Sequence, residues 1–172
     1  MALLSLVAVA QSTSQVKLYC VKSQSSITYS VHHPLHSWTG KSKEVSSVIL
    51  TNKSRSVISE VAVMVRISSF DSKNANRDSH AIEVTDALKY PSITFTSSSI
   101  KQIGDQLTVT GTLSFHGVRR IITFAAKRKL INNQLNVIGN FSVKMTQFKI
   151  VPPSLLGMAT DDDIKISFNV LY

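Results

Sequence analysis

A strict two-residue alternation over Leu107–Phe115 constrains the fold of this chain more than any other feature. The odd positions are apolar or glycine, and the even positions are serine or threonine. Because successive side chains of a β-strand point to opposite faces, the segment predicts a strand with one apolar face and one hydroxyl face. Such a strand is typical of an antiparallel sheet that covers apolar groups on one side only.

The same period recurs along the chain. Apolar side chains alternate over Gln134–Val143, over Val61–Ile67 and from Ile164 to Tyr172, and turns containing Gly and Asn separate such segments. Strands rich in threonine and valine favour an all-β fold. With 172 residues, we expect one domain, an antiparallel sandwich or barrel of about eight strands.

Two segments depart from this period. Residues 75–89 place apolar side chains at helical spacing, so we expect a short helical insertion there, with Asn76 or Asp78 as its N-cap. The segment 33–40 is expected to be irregular, because Pro34 cannot donate a hydrogen bond to a neighbouring strand.

The first ten residues resemble a secretory signal peptide. A short apolar run ends in Ala8-Val9-Ala10, an A-x-A cleavage pattern, and the run is too short to span a bilayer. No Lys or Arg precedes it, which is unusual for such a signal. We therefore expect residues 1–10 to be removed on export, residues 11–172 to form the mature domain, and the location to be periplasmic or secreted.

The chain carries a formal net charge of +9, but its basic residues are scattered. A solvated basic face is the simplest interpretation, and contact with an anionic membrane surface is compatible with the same charge. Nucleic acid is not an expected partner, because the phenylalanines fall on apolar strand faces and not between basic residues. A homodimer is a further expectation that the residues leave open.

The polar clusters predict no catalytic residue and no metal site. His33 and His36 offer a metal two nitrogens, but a structural site needs four ligands, and Glu44 is the first acidic residue after them. The run Asp161–Asp163 is expected to be a solvated turn, because contiguous strand side chains point to opposite faces. Cys20 is the only cysteine, which excludes an intrachain disulfide.

Four segments, taken in order, resemble the YceI-like domain of bacterial secreted proteins. Lys89–Ser97 is similar to the family's K-Y-P-x-I-x-F-x-S, and Val109–Val118 is similar to its V-x-G-x-L-x-x-H-G-V. Asn74–His80 resembles N-x-x-R-D-x-H, and Asp161–Asp163 resembles an acidic approach to the last strand. The resemblance extends over residues 24–172. It assigns these family-motif positions: Arg77, Asp78, His80, Tyr90, Pro91, His116 and Gly117.

This resemblance implies a single lipocalin-like antiparallel β-barrel, export to the periplasm, and an elongated interior that holds a polyisoprenoid chain or the tail of a quinone. The segment Lys144–Lys149 departs from the family's S-R-x-D-F-G. Phe148 is kept, but the Arg, Asp and Gly are absent. The departure bears on the identity of the ligand more than on the fold.

We therefore expect a protein without enzymatic activity or a dedicated cofactor that stores or transports an isoprenoid lipid. The apolar strand faces supply the expected lining: Val63, Val65, Phe95, Leu113, Phe115, Phe124, Phe141 and Phe168. The same side chains could fill a dry core, as in small barrels, and the residues do not decide between the two. The alternatives are a packed barrel acting as a periplasmic stress or interaction protein, and an uncharacterised enzyme that uses His80 and His116.

Overall fold

The computed structural model describes residues 14–172, so the predicted signal peptide lies outside the described residues. This part of the chain forms twelve strands, one α-helix and three 3-10 helices. The strands are β1 (Gln15–Tyr19), β2 (Ser26–His33), β3 (His36–Ser42), β4 (Ser46–Asn52), β5 (Ile58–Arg66), β6 (Ser92–Ile103), β7 (Gln106–Phe115), β8 (Val118–Ile131), β9 (Gln134–Lys144), β10 (Ser154–Leu155), β11 (Met158–Ala159) and β12 (Asp163–Leu171). The α-helix, α1, is Ala75–Val84, and the 3-10 helices are Lys22–Gln24, Ile67–Ser69 and Met145–Phe148.

Ten of these strands form one antiparallel sheet in the order β1-β4-β5-β6-β7-β8-β9-β12-β2-β3, and β10 and β11 form a separate small hairpin. The sheet curls so that its two ends approach each other. Lys41 and Asp71 exchange backbone hydrogen bonds of 3.0 and 3.1 Å, and the Val21 N–H donates to the Leu171 carbonyl at 2.7 Å. The predicted all-β class, an antiparallel lipocalin-like barrel with one short helical insertion, is confirmed.

The sheet has ten strands instead of about eight, partly because the segment expected to be irregular is β3. It pairs with β2 in continuous register from Ile27 opposite Ser42 to His33 opposite His36. Pro34 lies in the tight turn between the two strands, where its missing N–H is not needed for the ladder. The irregularity predicted for 33–40 is therefore wrong.

The helix begins at residue 75, as predicted, but it ends at Val84 and the predicted N-cap is wrong. Asn74, and not Asn76 or Asp78, is its N-cap, and the Asn74 side chain accepts a hydrogen bond from the Arg77 backbone N–H at 3.0 Å. This bond satisfies one of the free N–H groups of the first turn. In the described part of the chain, no helix combines the length and apolarity that crossing a membrane requires.

The end of the barrel away from α1 is closed by the loop between β4 and β5. The Ser56 carbonyl in this loop accepts hydrogen bonds from Gln102 Nε2 at 2.6 Å and from the guanidinium of Arg128. Arg128 is buried, and its Nε lies 4.0 Å from the exposed carboxylate of Asp105. Moving the loop would remove the Ser56 carbonyl as a hydrogen-bond partner of the buried Arg128 guanidinium, which is energetically costly. These bonds therefore hold the loop across the far end of the barrel.

Tyr172 is buried between β4 and β9. Its backbone exchanges hydrogen bonds of 2.8 and 2.9 Å with Leu135, and its hydroxyl lies 2.6 Å from Ser47 Oγ. Burial raises the pKa of the Tyr172 phenol well above the ordinary value of 10.0. The neutral phenol is therefore the favoured form in the folded protein.

This shift predicts an alkaline loss of stability. The contribution is fully present below pH 10 and is lost as the pH rises above it, because the unfolded chain then releases a proton that the folded protein retains. We expect Tyr172→Phe to cost about 1 kcal/mol at neutral pH, from the lost hydrogen bond. We also expect it to flatten the fall in the free energy of unfolding above pH 10. Urea unfolding at neutral pH and at about pH 10.5 measures both effects, and equal alkaline losses in the two proteins would contradict the prediction.

Candidate functional site

The concave face of the ten-stranded sheet surrounds a cavity of about 270 Å³ that is lined almost entirely by apolar side chains. The register explains the lining, since residues directly opposite each other on neighbouring strands share a face. Val63, Phe95 and Leu113 are opposite one another on β5, β6 and β7, and all three border the cavity. The volume equals roughly 20 water-sized sites, which is more than a packing defect provides.

Several inward-pointing side chains in the middle of the sheet are only partly buried. Phe124, Phe141 and Phe168 belong to this group, and each borders the cavity. Their remaining accessible surface faces the cavity. In a packed core the same positions would be fully buried, so the interior of this barrel is hollow and the dry-core alternative does not describe it.

All eight side chains predicted to line the interior border the cavity. Four of their rings form a continuous aromatic surface, because the Phe124 ring centroid lies 5.3 Å from Phe95, 4.9 Å from Phe141 and 5.8 Å from Phe168. Phe115 packs instead against the fully buried Phe148, with centroids 5.5 Å apart. That any of these residues contacts a lipid stays a prediction.

Glycines beneath inward-pointing rings help to keep the interior open. A Cβ at Gly111 would lie 2.5 Å from the Phe95 ring, and a Cβ at Gly139 would lie 2.5 Å from the Phe168 ring. Likewise, a Cβ at Gly40 would lie 2.3 Å from the Tyr29 ring. Because these glycines lack a side chain, the rings lie close against the wall of the barrel instead of extending across it.

Some lining side chains were not predicted from the sequence. They come from β2, β3 and α1 and include Ile27, Tyr29, Val31, Trp38, Ala81, Ile82 and Val84. The alternation of Ile27, Tyr29 and Val31 along β2 could have predicted that these three side chains share the inner face. Trp38 was missed because β3 was expected to be irregular.

Most polar lining side chains lie at the α1 end of the barrel and mark the mouth of the cavity, whereas Tyr172 borders the cavity elsewhere, beside Ser47 and Leu135. Those at the α1 end are Ser68, Arg77, Asp78, His80, Thr85 and Thr94. The Arg77 guanidinium lies 5.4 Å from the centroid of the Trp38 ring, in cation–π geometry. The Asp78 carboxylate accepts a hydrogen bond from the Ser72 backbone N–H at 3.1 Å.

Tyr29 carries a further polar group near the mouth. Burial raises the pKa of its phenol above the usual range, and the Asp78 carboxylate adds to the rise, while Trp38 and Arg77 act in the opposite direction. At neutral pH the phenol is therefore a neutral O–H group. Together with the guanidinium of Arg77, it can donate hydrogen bonds to a polar group at the mouth.

The remaining family-motif residues brace the loops at this end. The rings of Tyr90 and His116 meet edge to face with centroids 5.3 Å apart, and His116 Nδ1 lies 2.8 Å from the Phe148 carbonyl. Gly117 has a φ of +72° and lies under the Tyr90 ring, where a Cβ would come within 2.6 Å. The Pro91 carbonyl accepts from the backbone N–H of Ile67 at 3.0 Å.

The two histidines of the enzyme alternative differ in their surroundings. His80 lies on the exposed side of α1 at the mouth, with Nδ1 3.6 Å from the Glu83 carboxylate on the same helix. His116 does not belong to the lining of the cavity and is bonded to a loop carbonyl. The fold does not place the two imidazoles together inside the cavity.

The acidic run before β12 has a structural role that was not predicted. The Asp162 carboxylate accepts hydrogen bonds from the Thr146 backbone N–H at 2.9 Å and from Thr146 Oγ1 at 2.6 Å, which lowers the pKa of Asp162. Asp163 pairs with Lys144 at 3.2 Å. A simple solvated turn is therefore the wrong description of this run. Over residues 14–172, no group of three or more His, Cys, Asp or Glu side chains is arranged to hold a metal ion.

Comparison with known proteins identifies the family. The sequence model of the YceI-like domain matches residues 19–172. The chain belongs to the YceI-like family. Protein YceI of Escherichia coli O157:H7 is 32% identical to it over 104 residues, which are 59% of this chain and 54% of that protein. The chain thus spans about half the length of the curated YceI relatives that it matches.

Solved structures share the YceI-like fold at low sequence identity. BcnA of Burkholderia cenocepacia has a TM-score of 0.80 and 18% identity, over 89% of this chain and 99% of that one. A domain from Saccharophagus degradans, described as a polyisoprenoid binding domain, has a TM-score of 0.70 and 12% identity, over 90% of this chain and 96% of that one. At these identities the likeness is one of fold.

The contact between Gly40 and Tyr29 gives a testable prediction for the wall of the cavity. We expect Gly40→Ala to cost about 1–3 kcal/mol in the free energy of unfolding, because the new methyl group overlaps the Tyr29 ring. Tyr29→Leu in the same chain should remove most of this penalty, since the three atoms nearest to the added Cβ all belong to that side chain. Urea denaturation of the two single variants and the double variant measures the coupling, and an unchanged penalty in the Leu background would contradict this explanation.

Proposed function

We propose that this YceI-like protein stores or transports an isoprenoid-type lipid, a polyisoprenoid or the tail of a quinone, inside its barrel. The observation that carries the proposal is the apolar cavity of about 270 Å³, whose charged lining side chains, Arg77 and Asp78, lie at the α1 end. An apolar chain fits such an interior, and a small polar head group fits such a mouth.

Burial of apolar surface supplies enough free energy for this role. Each isoprene unit moved from water into an apolar interior gains on the order of 2–3 kcal/mol, at ~25 cal/mol per Å². Ordering the chain subtracts part of that gain. Several units therefore bind tightly without a hydrogen bond, so a lining that is almost entirely apolar is compatible with strong binding.

The mouth favours one orientation of the ligand. Tyr29, Arg77 and Asp78 supply a neutral hydroxyl, a guanidinium and a carboxylate at the α1 end. At the far end, the lining residues Ile58, Leu107 and Val137 are apolar, and the Tyr172 hydroxyl is bonded to Ser47 Oγ. We infer that the head group lies at the mouth and that the tail extends toward the far end.

Two considerations support a lipid-binding role over the alternatives. The Saccharophagus degradans domain with the same fold is described as polyisoprenoid binding. An enzyme that uses His80 and His116 together is disfavoured, because His116 is bonded to the Phe148 carbonyl outside the cavity lining.

Organic extraction of the native protein, followed by mass spectrometry, tests the ligand. We expect a stoichiometric isoprenoid lipid in the extract. Val63→Trp should abolish its recovery, because Val63 borders the cavity and is only partly buried. Met64→Trp is the matched control, since Met64 is the next residue of β5 and faces solvent with 40% of its surface exposed.

The control separates loss of the cavity from loss of the fold. Both tryptophan variants should unfold cooperatively in urea, and only Met64→Trp should retain lipid. Should Val63→Trp fail to fold, Val137→Phe on β9 offers a smaller intrusion at another partly buried lining position. An empty extract from the unaltered protein, together with no uptake of an added prenyl alcohol, would overturn the proposal.

We also propose that the protein is exported and cleaved after Ala10, on the basis of the Ala8-Val9-Ala10 pattern that ends the apolar run. Mass spectrometry of the protein from the periplasmic fraction of a bacterial host should then give the mass of residues 11–172. A chain that retains Met1 and stays in the cytosolic fraction would contradict this proposal.

A further inference from the structure

We propose that the hairpin beside the cavity mouth, together with the basic residues at its base, docks the protein on an anionic lipid bilayer. This rim hairpin consists of β10, β11 and the turn between them, residues 154–159. The docking surface is distinct from the cavity lining. Its purpose rests on the proposed function, because the ligand of an isoprenoid-binding protein resides in membranes.

The rim hairpin presents aliphatic side chains to solvent. Leu156 is 80% exposed, Leu155 is 49% exposed, and Val151, just before the hairpin, is 81% exposed. Leu35 in the β2–β3 turn is 55% exposed. His33 joins the two turns, because its Nε2 lies 3.0 Å from the Met158 carbonyl. The exposed apolar residues therefore belong to one connected part of the rim and are not scattered singly.

The backbone of the turn makes the exposed leucine unusual. Leu156 has a φ of 53° and Gly157 a φ of 78°. Positive φ at both central residues is typical of a type I′ turn, where Asn-Gly is the preferred pair. A leucine in this conformation is strained, and its exposed side chain gains little by packing. Contact with a partner, in this case insertion of the Leu156 side chain into a bilayer, explains why a leucine occupies this strained position.

Basic residues lie at the base of the rim hairpin. Arg119, Arg120 and Lys149 are exposed, and Arg120 Nε donates to the Gln147 carbonyl at 3.0 Å, which places it beside the segment that leads into the hairpin. Arg119 precedes it at the start of β8 and, opposite Ser114, projects from the outer face of the same strand end. Across residues 14–172, none of the three forms a salt bridge. Asp161 is an exposed acidic residue of the same rim.

Two carboxylates of the acidic run have partners within the protein but keep their negative charge. Asp162 accepts hydrogen bonds from Thr146, and Asp163 pairs with Lys144. Arg119, Arg120, Lys144 and Lys149 give four positive charges against the three carboxylates of Asp161–Asp163. This small positive excess at the base of the hairpin complements an anionic surface. A basic residue near such a surface contributes about 1 kcal/mol, and partly inserted aliphatic side chains add apolar burial.

The rim hairpin is continuous with the mouth. Pro153, directly before β10, borders the cavity, and its carbonyl accepts from the Thr160 backbone N–H at 2.8 Å, which closes the base of the hairpin. A bilayer that receives the hairpin therefore lies against the mouth. An apolar chain can then move between membrane and cavity without crossing bulk water, which removes the largest penalty for its transfer.

Vesicle flotation tests the docking surface. The full chain is mixed with vesicles of phosphatidylcholine alone or of phosphatidylcholine and phosphatidylglycerol. We expect flotation with the anionic vesicles and little with the neutral ones. Leu156→Asn should lower the bound fraction at least about fivefold through lost apolar insertion. The same variant should keep or raise the urea midpoint, because asparagine tolerates the positive φ.

Matched controls use equivalent residues away from the rim. Ile103 is 84% exposed at the far end of β6, so Ile103→Asn removes a similar exposed side chain. The double change Arg119→Gln with Lys149→Gln should weaken anionic-vesicle binding about 25-fold, at about 1 kcal/mol for each cation. Lys101→Gln, an exposed basic position on β6, should have little effect.

Three results would overturn the proposal. One is equal loss of flotation in Leu156→Asn and Ile103→Asn. Another is equal binding to neutral and anionic vesicles. The third is concentration-dependent self-association that Leu156→Asn abolishes, with no flotation of the unaltered chain, because the partner of the surface would then be a second copy.

Uptake of a prenyl alcohol delivered in ethanol separates this proposal from the proposed function. Normal uptake by Leu156→Asn with impaired flotation supports a docking surface distinct from the cavity. Uptake by the unaltered chain without flotation overturns the docking surface and leaves the proposed function standing. Flotation without uptake, together with an empty organic extract, supports the docking surface and overturns the proposed function.

Discussion

Close contact between inward-pointing aromatic rings and glycines on neighbouring strands decides whether this barrel is hollow. The Phe95 ring covers Gly111 and the Phe168 ring covers Gly139, each so closely that a Cβ would lie 2.5 Å away. Without a side chain beneath them, the rings lie along the wall, and Phe124 continues the same surface. A sheet with the same alternation but larger residues at these positions would turn its rings toward the centre and fill the space that the proposed ligand needs.

The two ends of the barrel differ in structure: a loop covers one end, and charged side chains border the opening at the other. The cavity is therefore asymmetric along its long axis. At the far end, the buried guanidinium of Arg128 and the Gln102 amide both donate to the Ser56 carbonyl, which holds the closing loop across the barrel. At the other end, α1 packs its apolar side against the interior while Arg77 and Asp78 border the opening. The apolar tail and the polar head of the proposed ligand would therefore lie at opposite ends of the cavity.

Alternation along the chain predicted much of the sheet, because the strand period is a local property of the sequence. It predicted the positions of β7, β9 and β12, and all eight side chains that it assigned to the interior border the cavity. It did not predict that the interior is hollow, since that depends on contacts such as Phe168 over Gly139, between different strands. It also missed β3, because Pro34 marks a turn between two strands and not an irregular segment.

The segment Lys144–Lys149 departs from the family pattern S-R-x-D-F-G, and the structure shows where its side chains lie. Phe148 is retained, is fully buried and packs on Phe115, so the wall beneath the rim keeps its aromatic contact. Lys149 occupies the position of the pattern's glycine and has a φ of 59°, a conformation that suits glycine better than lysine. Gln147 takes the place of the pattern's aspartate. Lys144, Gln147 and Lys149 make the exposed surface of this segment more basic than the pattern, while Met145, in the place of the pattern's arginine, is buried and borders the cavity. The departure therefore alters both the surface of the rim and the lining of the cavity.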